Sequence, residues 1–332
     1  MYEILGISLG LTALLTVNAF ASMAAAASWR LLDNRMQRRS ARARAEILFA
    51  IRIGPPVIAL VAVAAFLVPS YLAYEPYSTN EVVSKKLAAL AGISAIGIGF
   101  ALWRSVRSWL ATRSLLKEWL RSAVPIERAE ISIPAFRIRH SFPILAVVGT
   151  LRPRLFIAEQ VLQSLNAKEL TAAIAHECGH LAARDNFKRS LLRACCDALL
   201  IIPCGRSLDR AWAEASECAA DEYAAHESAA VALNLASALV RIAKMVPEGA
   251  RAAMPMAAFL VGNQERGVKA RVRRLLEIAS TDQPSPARGS YVALVPWAAV
   301  AFLVFLGVTV DLYPQALIAV HSFIERTVSL LT

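Results

Sequence analysis

The chain reads as a mainly α-helical, multi-pass membrane protein that carries a cytoplasmic α+β domain, and three observations predict this class. Hydrophobic residues fill 57% of its 332 positions, charged residues only 18%, and mean hydropathy is +0.49. A soluble chain is about half apolar and a quarter charged, so part of this one belongs in lipid. The apolar residues gather in four runs, roughly 4–29, 53–74, 87–110 and 291–312, each long enough to cross a bilayer. Between the third and fourth runs, residues 111–290 alternate strand-like and helix-like patterns, as a folded domain does.

The first three runs make residues 1–110 a three-span unit. The third run is the least clean, because Arg104 and Arg107 sit in its last turns, from which they can snorkel to the interface. Loop charge gives the orientation. The connection 30–52 holds Arg30, Arg35, Arg38, Arg39, Arg42, Arg44 and Arg52 against Asp33 and Glu46. The next connection, with Glu75, Glu81, Lys85 and Lys86, is neutral, and Arg104, Arg107, Arg113, Lys117 and Arg121 follow the third span. The positive-inside rule therefore places loop 30–52 and the domain 111–290 in the cytoplasm. The fourth span, 291–312, then leads to a short extracytoplasmic tail, 313–332, whose Leu317, Ile324, Val328 and Leu331 suit an amphipathic helix on the outer surface. The first run carries Glu3, lacks a basic start and has its arginines after the apolar stretch, so it reads as an uncleaved anchor rather than a signal peptide. Gly6 and Gly10 are spaced as in a helix-dimer face, which allows a homodimer, although ordinary lipid-facing packing is the plainer reading.

A net charge of +11 with a pI near 9.8 raises the question of nucleic acid. The excess lies beside the spans, where it sets topology and meets anionic lipid, and no nucleic-acid motif is present; membrane lipid is the expected partner. The five cysteines, Cys178, Cys195, Cys196, Cys204 and Cys218, all fall in the cytoplasmic domain, which argues against a disulfide framework.

Within the domain, Pro143–Ala158 reads as strand, turn, strand, with two β-branched runs flanking Gly149-Thr150 and Pro153 limiting pairing. Asn166-x-x-Glu169 is a capping-box start to a helix whose apolar face includes Leu170, Ala173, Ile174 and Leu181. That helix holds His176-Glu177-Cys178-Gly179-His180. Histidines at i and i+4 project from one face and can reach one Zn²⁺, and the glutamate beside the first is placed to act as base. Leu191–Cys204 is apolar but too short to span, hence a core or interfacial helix. Arg210–Ala225 is a helix former that offers Glu214, Glu217, Asp221 and Glu222. A catalytic zinc takes three protein ligands. By spacing alone, Glu214 with Cys218 or Glu217 with Asp221 can supply the third ligand and its support, and a solvated acidic face is the plain alternative.

The pattern His176-Glu-x-x-His180-x-x-x-Arg184-Asp185-Asn186, followed by Glu217-x-x-Ala220-Asp221, resembles the BlaR/MecR-type membrane zinc metallopeptidases, which are antirepressor-like. Phe142-Pro143, Gly149-Thr-Leu-Arg-Pro153-Arg and Asn166-x-x-Glu169-Leu resemble that family's lead-in, and Arg271-Val-Arg-Arg-Leu-Leu276 a later element. The resemblance covers roughly residues 130–280 and the four-span layout. It implies a zincin-type, gluzincin-like metalloprotease domain at the inner membrane of a bacterium, facing the cytoplasm. Carried over, it makes His176, His180 and Glu217 zinc ligands, Glu177 the general base, Asp221 the partner of a ligating histidine, and Arg184 and Asp185 a pair that closes the helix end. His226, nine residues past Glu217, is a candidate oxyanion donor, though a surface or core histidine is the plainer reading.

The implied substrate is a protein, with a transcriptional repressor the favoured class. The chain departs from the β-lactam receptors of that family, because 313–332 leaves no room for a penicillin-binding sensor. Ser114-x-x-Lys117 matches S-x-x-K without its companion motifs and reads as coincidence. Two other functions stand beside this one: a quality-control protease of the HtpX type, which shares the zinc motifs, and a non-enzymatic membrane signal transducer with structural zinc. Glu177 argues against the last, since a purely structural site has no use for a base.

Overall fold

A computed structural model describes residues 2–36, 39–76, 83–127, 133–197, 204–246, 265–280 and 314–331, with isolated residues between 298 and 309. The membrane portion begins with α1, Tyr2–Met36. A continuous helical run follows: α2, Ala41–Val61, a π-helical turn, Ala62–Leu67, and α3, Val68–Tyr74. Next comes α4, Lys85–Ser122. All three runs are long and apolar enough to cross a membrane. The expected fourth span lies outside the described residues, apart from scattered helical positions. Gly6 and Gly10 pack inside the chain, since a Cβ on Gly6 would meet the Tyr71 ring at 2.8 Å and one on Gly10 would meet Val63 at 3.8 Å.

The stretch 30–52, expected as a basic loop, is instead mostly helix. Ser40 caps α2 by accepting a hydrogen bond from the Ala43 N–H, and the helix begins well before the apolar run does. Its leading part, Ala41–Arg52, belongs to the folded domain. Leu48 and Phe49 are buried with Trp29, Leu192, Leu208 and Trp212 in one cluster. Three polar ties fasten it to the domain: the Ala41 N–H donates to Glu222 at 3.0 Å, Lys188 pairs with Glu46, and Arg52 pairs with Asp209 at 3.0 Å. Arg52 and Glu46, read in the sequence only as loop charge, therefore fasten this helix to the domain.

The domain opens with β1, Val124–Ile126, and β2, Ala135–Ile138, which the sequence did not reveal. The expected hairpin follows as β3, Leu145–Val148, and β4, Arg154–Ala158. Gly149 turns out of β3 with φ +108°, and its added Cβ would fall 2.7 Å from the Arg152 carbonyl oxygen, so glycine is needed there. The sheet order is β1-β2-β4-β3, with β2 parallel to β4 and the other pairs antiparallel. This leaves β3 as an edge strand, paired to β4 through Leu145↔Ile157 and Val147↔Leu155.

Short α5, Glu159–Ser164, leads into α6, Ala167–Ala183, which starts with the full Asn166/Glu169 capping box. Then come α7, Asp185–Asp197, and α8, Cys204–Ala225. α9, Ala229–Met245, and α10, Glu265–Ser280, complete the described part of the domain. Phe156, Ile157, Leu170, Ala173, Leu235, Leu239 and Leu275 share one buried core joining the sheet to α6, α9 and α10. The tail forms α11, Pro314–Leu331. It rests on the end of α3, where the Ser70 hydroxyl donates to the Leu317 carbonyl at 2.9 Å and Tyr74 donates to that of Pro314 at 3.3 Å.

Candidate metal centre

His176 and His180 leave one face of α6 a turn apart, with ring centroids 4.8 Å apart and planes at 89°. Both are buried, as is Glu177 between them. α8 can come close because the helices meet at Gly179, where a Cβ would lie 3.0 Å from the Ala220 Cα. That approach brings in Glu217, whose Oε1 is 3.6 Å from His180 Nε2 and whose Oε2 is 3.7 Å from His176 Nε2. The three residues form a group able to hold one metal ion. In a tetrahedral zinc site, neighbouring donor atoms are roughly 3.3 Å apart, so these separations need only a small adjustment. Among the described residues His180 Nε2 is also buried without a hydrogen-bond partner, as expected of an atom meant for a metal. The donor set, two imidazoles and a carboxylate, suits zinc.

Each histidine has a carboxylate behind it. His176 Nδ1 lies 2.9 Å from Asp221 Oδ1, and His180 Nδ1 lies 2.7 Å from Asp185 Oδ2. Such contacts fix the tautomer and aim Nε2 at the metal. Asp185 is placed by Arg184, which ends α6 in the left-handed conformation at φ 55° and ψ 38° and turns the chain back. Asn186, next along, reaches the sheet, donating to the Val147 carbonyl at 2.8 Å and the Gly149 carbonyl at 3.3 Å.

Glu177 Oε2 accepts a hydrogen bond from the Val147 N–H at 2.9 Å, and its Oε1 is buried with no hydrogen-bond partner among the described residues. Glu177 and the edge strand thus touch. Burial pushes the Glu177 carboxyl above its ordinary pKa, against the pull of His180 and His176. Burial pushes Glu217 up as well, but Arg271 and the two histidines outweigh it and bring it to about 2. For His176, burial works downward, while Asp221 and Glu217 win and raise it to about 9. Asp221 is held well below the usual carboxylate range, since Arg271 and His176 overcome its burial.

Sequence reasoning named the segment containing Arg271 but gave that residue no role. In the structure Arg271 Nε and Nη2 donate to Asp221 Oδ2 at 2.8 Å and Oδ1 at 2.6 Å, and Nη1 donates to Glu217 Oε2 at 2.9 Å. One turn on, Arg274 pairs with Glu222. The acids at 217, 221 and 222 meet the arginines at 271 and 274 only because α8 packs on α10, which no local spacing records. Other candidates do not join the group. Glu214 is exposed on α8, and Cys218 is a half-buried free thiol whose pKa burial raises. His226 is exposed in the turn after α8 and makes no hydrogen bond to the group among the described residues. Ser114 and Lys117 lie exposed on α4.

Residues 146–265, about a third of the chain, match the family model described as Peptidase family M48. The matched segment runs from the edge strand through both helices that carry His176, His180 and Glu217. The similarity is thus to a metallopeptidase family, and it does not extend to the BlaR/MecR type expected from the sequence. No curated protein matches the chain.

Proposed function

We propose that this chain is a membrane-tethered zinc endopeptidase that cuts a cytoplasmic or membrane-proximal protein. The observation that carries this reading is the convergence of His176, His180 and Glu217 beside a buried Glu177. The ion, when bound, would supply Lewis acidity and make an attacking water acidic near neutral pH. The chain's own groups do the rest. Asp221 and Asp185 hold the imidazoles so that both Nε2 atoms face inward. Glu177, its basicity raised by burial, accepts the proton of the attacking water and returns it to the leaving nitrogen.

Edge strand β3 offers an extended peptide a place to pair. The Val147 N–H and carbonyl already bind Glu177 and Asn186, so pairing centres on Leu145 unless those side chains let go. The arginines beside the spans support a cytoplasmic orientation at a bacterial inner membrane. The motifs shared with BlaR/MecR-type peptidases favour regulatory cleavage, with a transcriptional repressor as substrate.

Comparing new protein termini in cells carrying wild-type protein or Glu177→Gln tests the reading. One defined cut in one regulator, lost in the variant, is the expected result. Many cuts across misfolded membrane proteins would favour quality control, and identical termini in both strains would sink the peptidase reading.

A further inference from the structure

We infer that Arg271 is a positioning residue that makes Glu217 a one-oxygen ligand and thereby keeps a coordination position open. This rests on the zinc reading above and adds to it a constraint on geometry. The Arg271 side chain is only 9% exposed, yet it touches no atom that reacts. Its fork is engaged on the ligand side: Nε and Nη2 grip both oxygens of Asp221, Nη1 holds Glu217 Oε2, and Nη2 also lies 3.4 Å from His176 Nδ1 and 3.5 Å from His176 Nε2. With Oε2 fixed at 2.9 Å, the Glu217 oxygen left to a metal is Oε1, the one beside His180 Nε2. A carboxylate free to rotate can bind through both oxygens and raise the coordination number, filling the place a catalytic site keeps for water. The same guanidinium holds Asp221 against His176 Nδ1, so one side chain sets a ligand and the support of a second ligand.

Arg274 provides an internal contrast. It comes from the same face of α10 and pairs with α8 through Glu222, but it is 40% exposed and touches none of the three ligands. If arginines on α10 served only to fasten helices, the two would be interchangeable. Lysine cannot replace Arg271 at this site, because a single ammonium lacks the planar fork that spans two carboxylates.

The test uses the full chain in detergent, loaded with Co²⁺ in place of zinc, since the visible bands of cobalt report coordination number. Zinc affinity is measured alongside by competition with a chromophoric chelator. Wild type should give the intense bands of a four-coordinate ion. Arg271→Met should give the weaker bands of a five-coordinate ion and lose roughly 10–100-fold in zinc affinity. Arg271→Lys, which keeps the buried charge and carries the test should the methionine variant fail to fold, should move both readouts the same way. Arg274→Met should stay near wild type in both. The inference is overturned if a folded Arg271 variant keeps the wild-type spectrum and affinity, or if Arg274→Met reproduces the loss. A wild-type chain that takes up neither metal would overturn the zinc reading itself, an outcome readily told from the others.

Discussion

His176 and His180 leave one helix a turn apart and each hands its Nδ1 to a carboxylate, but the two carboxylates arrive by different routes. Asp185 comes from five residues along the chain, delivered by the left-handed turn at Arg184. Asp221 comes from a different helix, and α10 steadies it through Arg271. The first solution is local and needs little beyond the end of α6. The second requires α6, α8 and α10 to be packed together. The difference lies in what stands behind each acid. Among the described residues Asp185 pairs with no lysine or arginine, whereas Asp221 is fully buried against a guanidinium. Removing one should disturb a ligand, and removing the other should also strand a buried charge.

The largest effect should therefore follow Asp221→Asn. His176 loses its charged partner, and zinc affinity in the competition assay should drop by roughly 10–100-fold. The variant should also unfold more easily, by up to about 3 kcal/mol, the low end for a broken buried pair because Glu217 still neutralises Arg271. Asp185→Asn sharpens the contrast. An amide oxygen still accepts from Nδ1–H and no cation is stranded, so affinity should fall about tenfold at most and stability by about 1 kcal/mol. Equal losses from the two variants, in both assays, would mean that the local and long-range supports are not distinct.

The same contrast explains what could be read in advance. The helix α6, its capping box, the hairpin and the two histidines were legible, because each is set by residues within a few turns of one another. Glu217 with Asp221 was one of two open pairings until spacing was joined to a family resemblance, and in the structure Glu214 points away. Arg271 was beyond reach, since its meaning depends on α10 crossing α8, and no periodicity records a crossing. The start of α2 escaped for another reason. Seven arginines between 30 and 52 read as a topology signal, while Leu48 and Phe49 among them were building a core with α7 and α8. Charge dominated composition there, and packing was carried by the few apolar residues between the charges.

The smallest expected effect tests whether the local route is as self-contained as it looks. Arg184 adopts φ 55° without being glycine, a conformation in which Cβ crowds the following carbonyl at a cost of roughly 1–2 kcal/mol. Its side chain is exposed, so the residue's contribution to the site is its backbone. Arg184→Gly removes the crowding and adds chain entropy to the unfolded state, a loss of roughly 0.5–1 kcal/mol that offsets part of the gain. The balance should be a rise of up to about 1 kcal/mol in thermal unfolding measurements, with zinc affinity unchanged because Asp185 is still returned to His180. Arg184→Val makes the opposite case, since a β-branched residue tolerates this region worst. It should lower stability and weaken zinc binding together, because relaxing its backbone carries Asp185 off His180 Nδ1. If valine lowered stability yet left zinc binding intact, the turn would be only a helix terminus and Asp185 would owe its place to something farther away, making the two histidines alike after all.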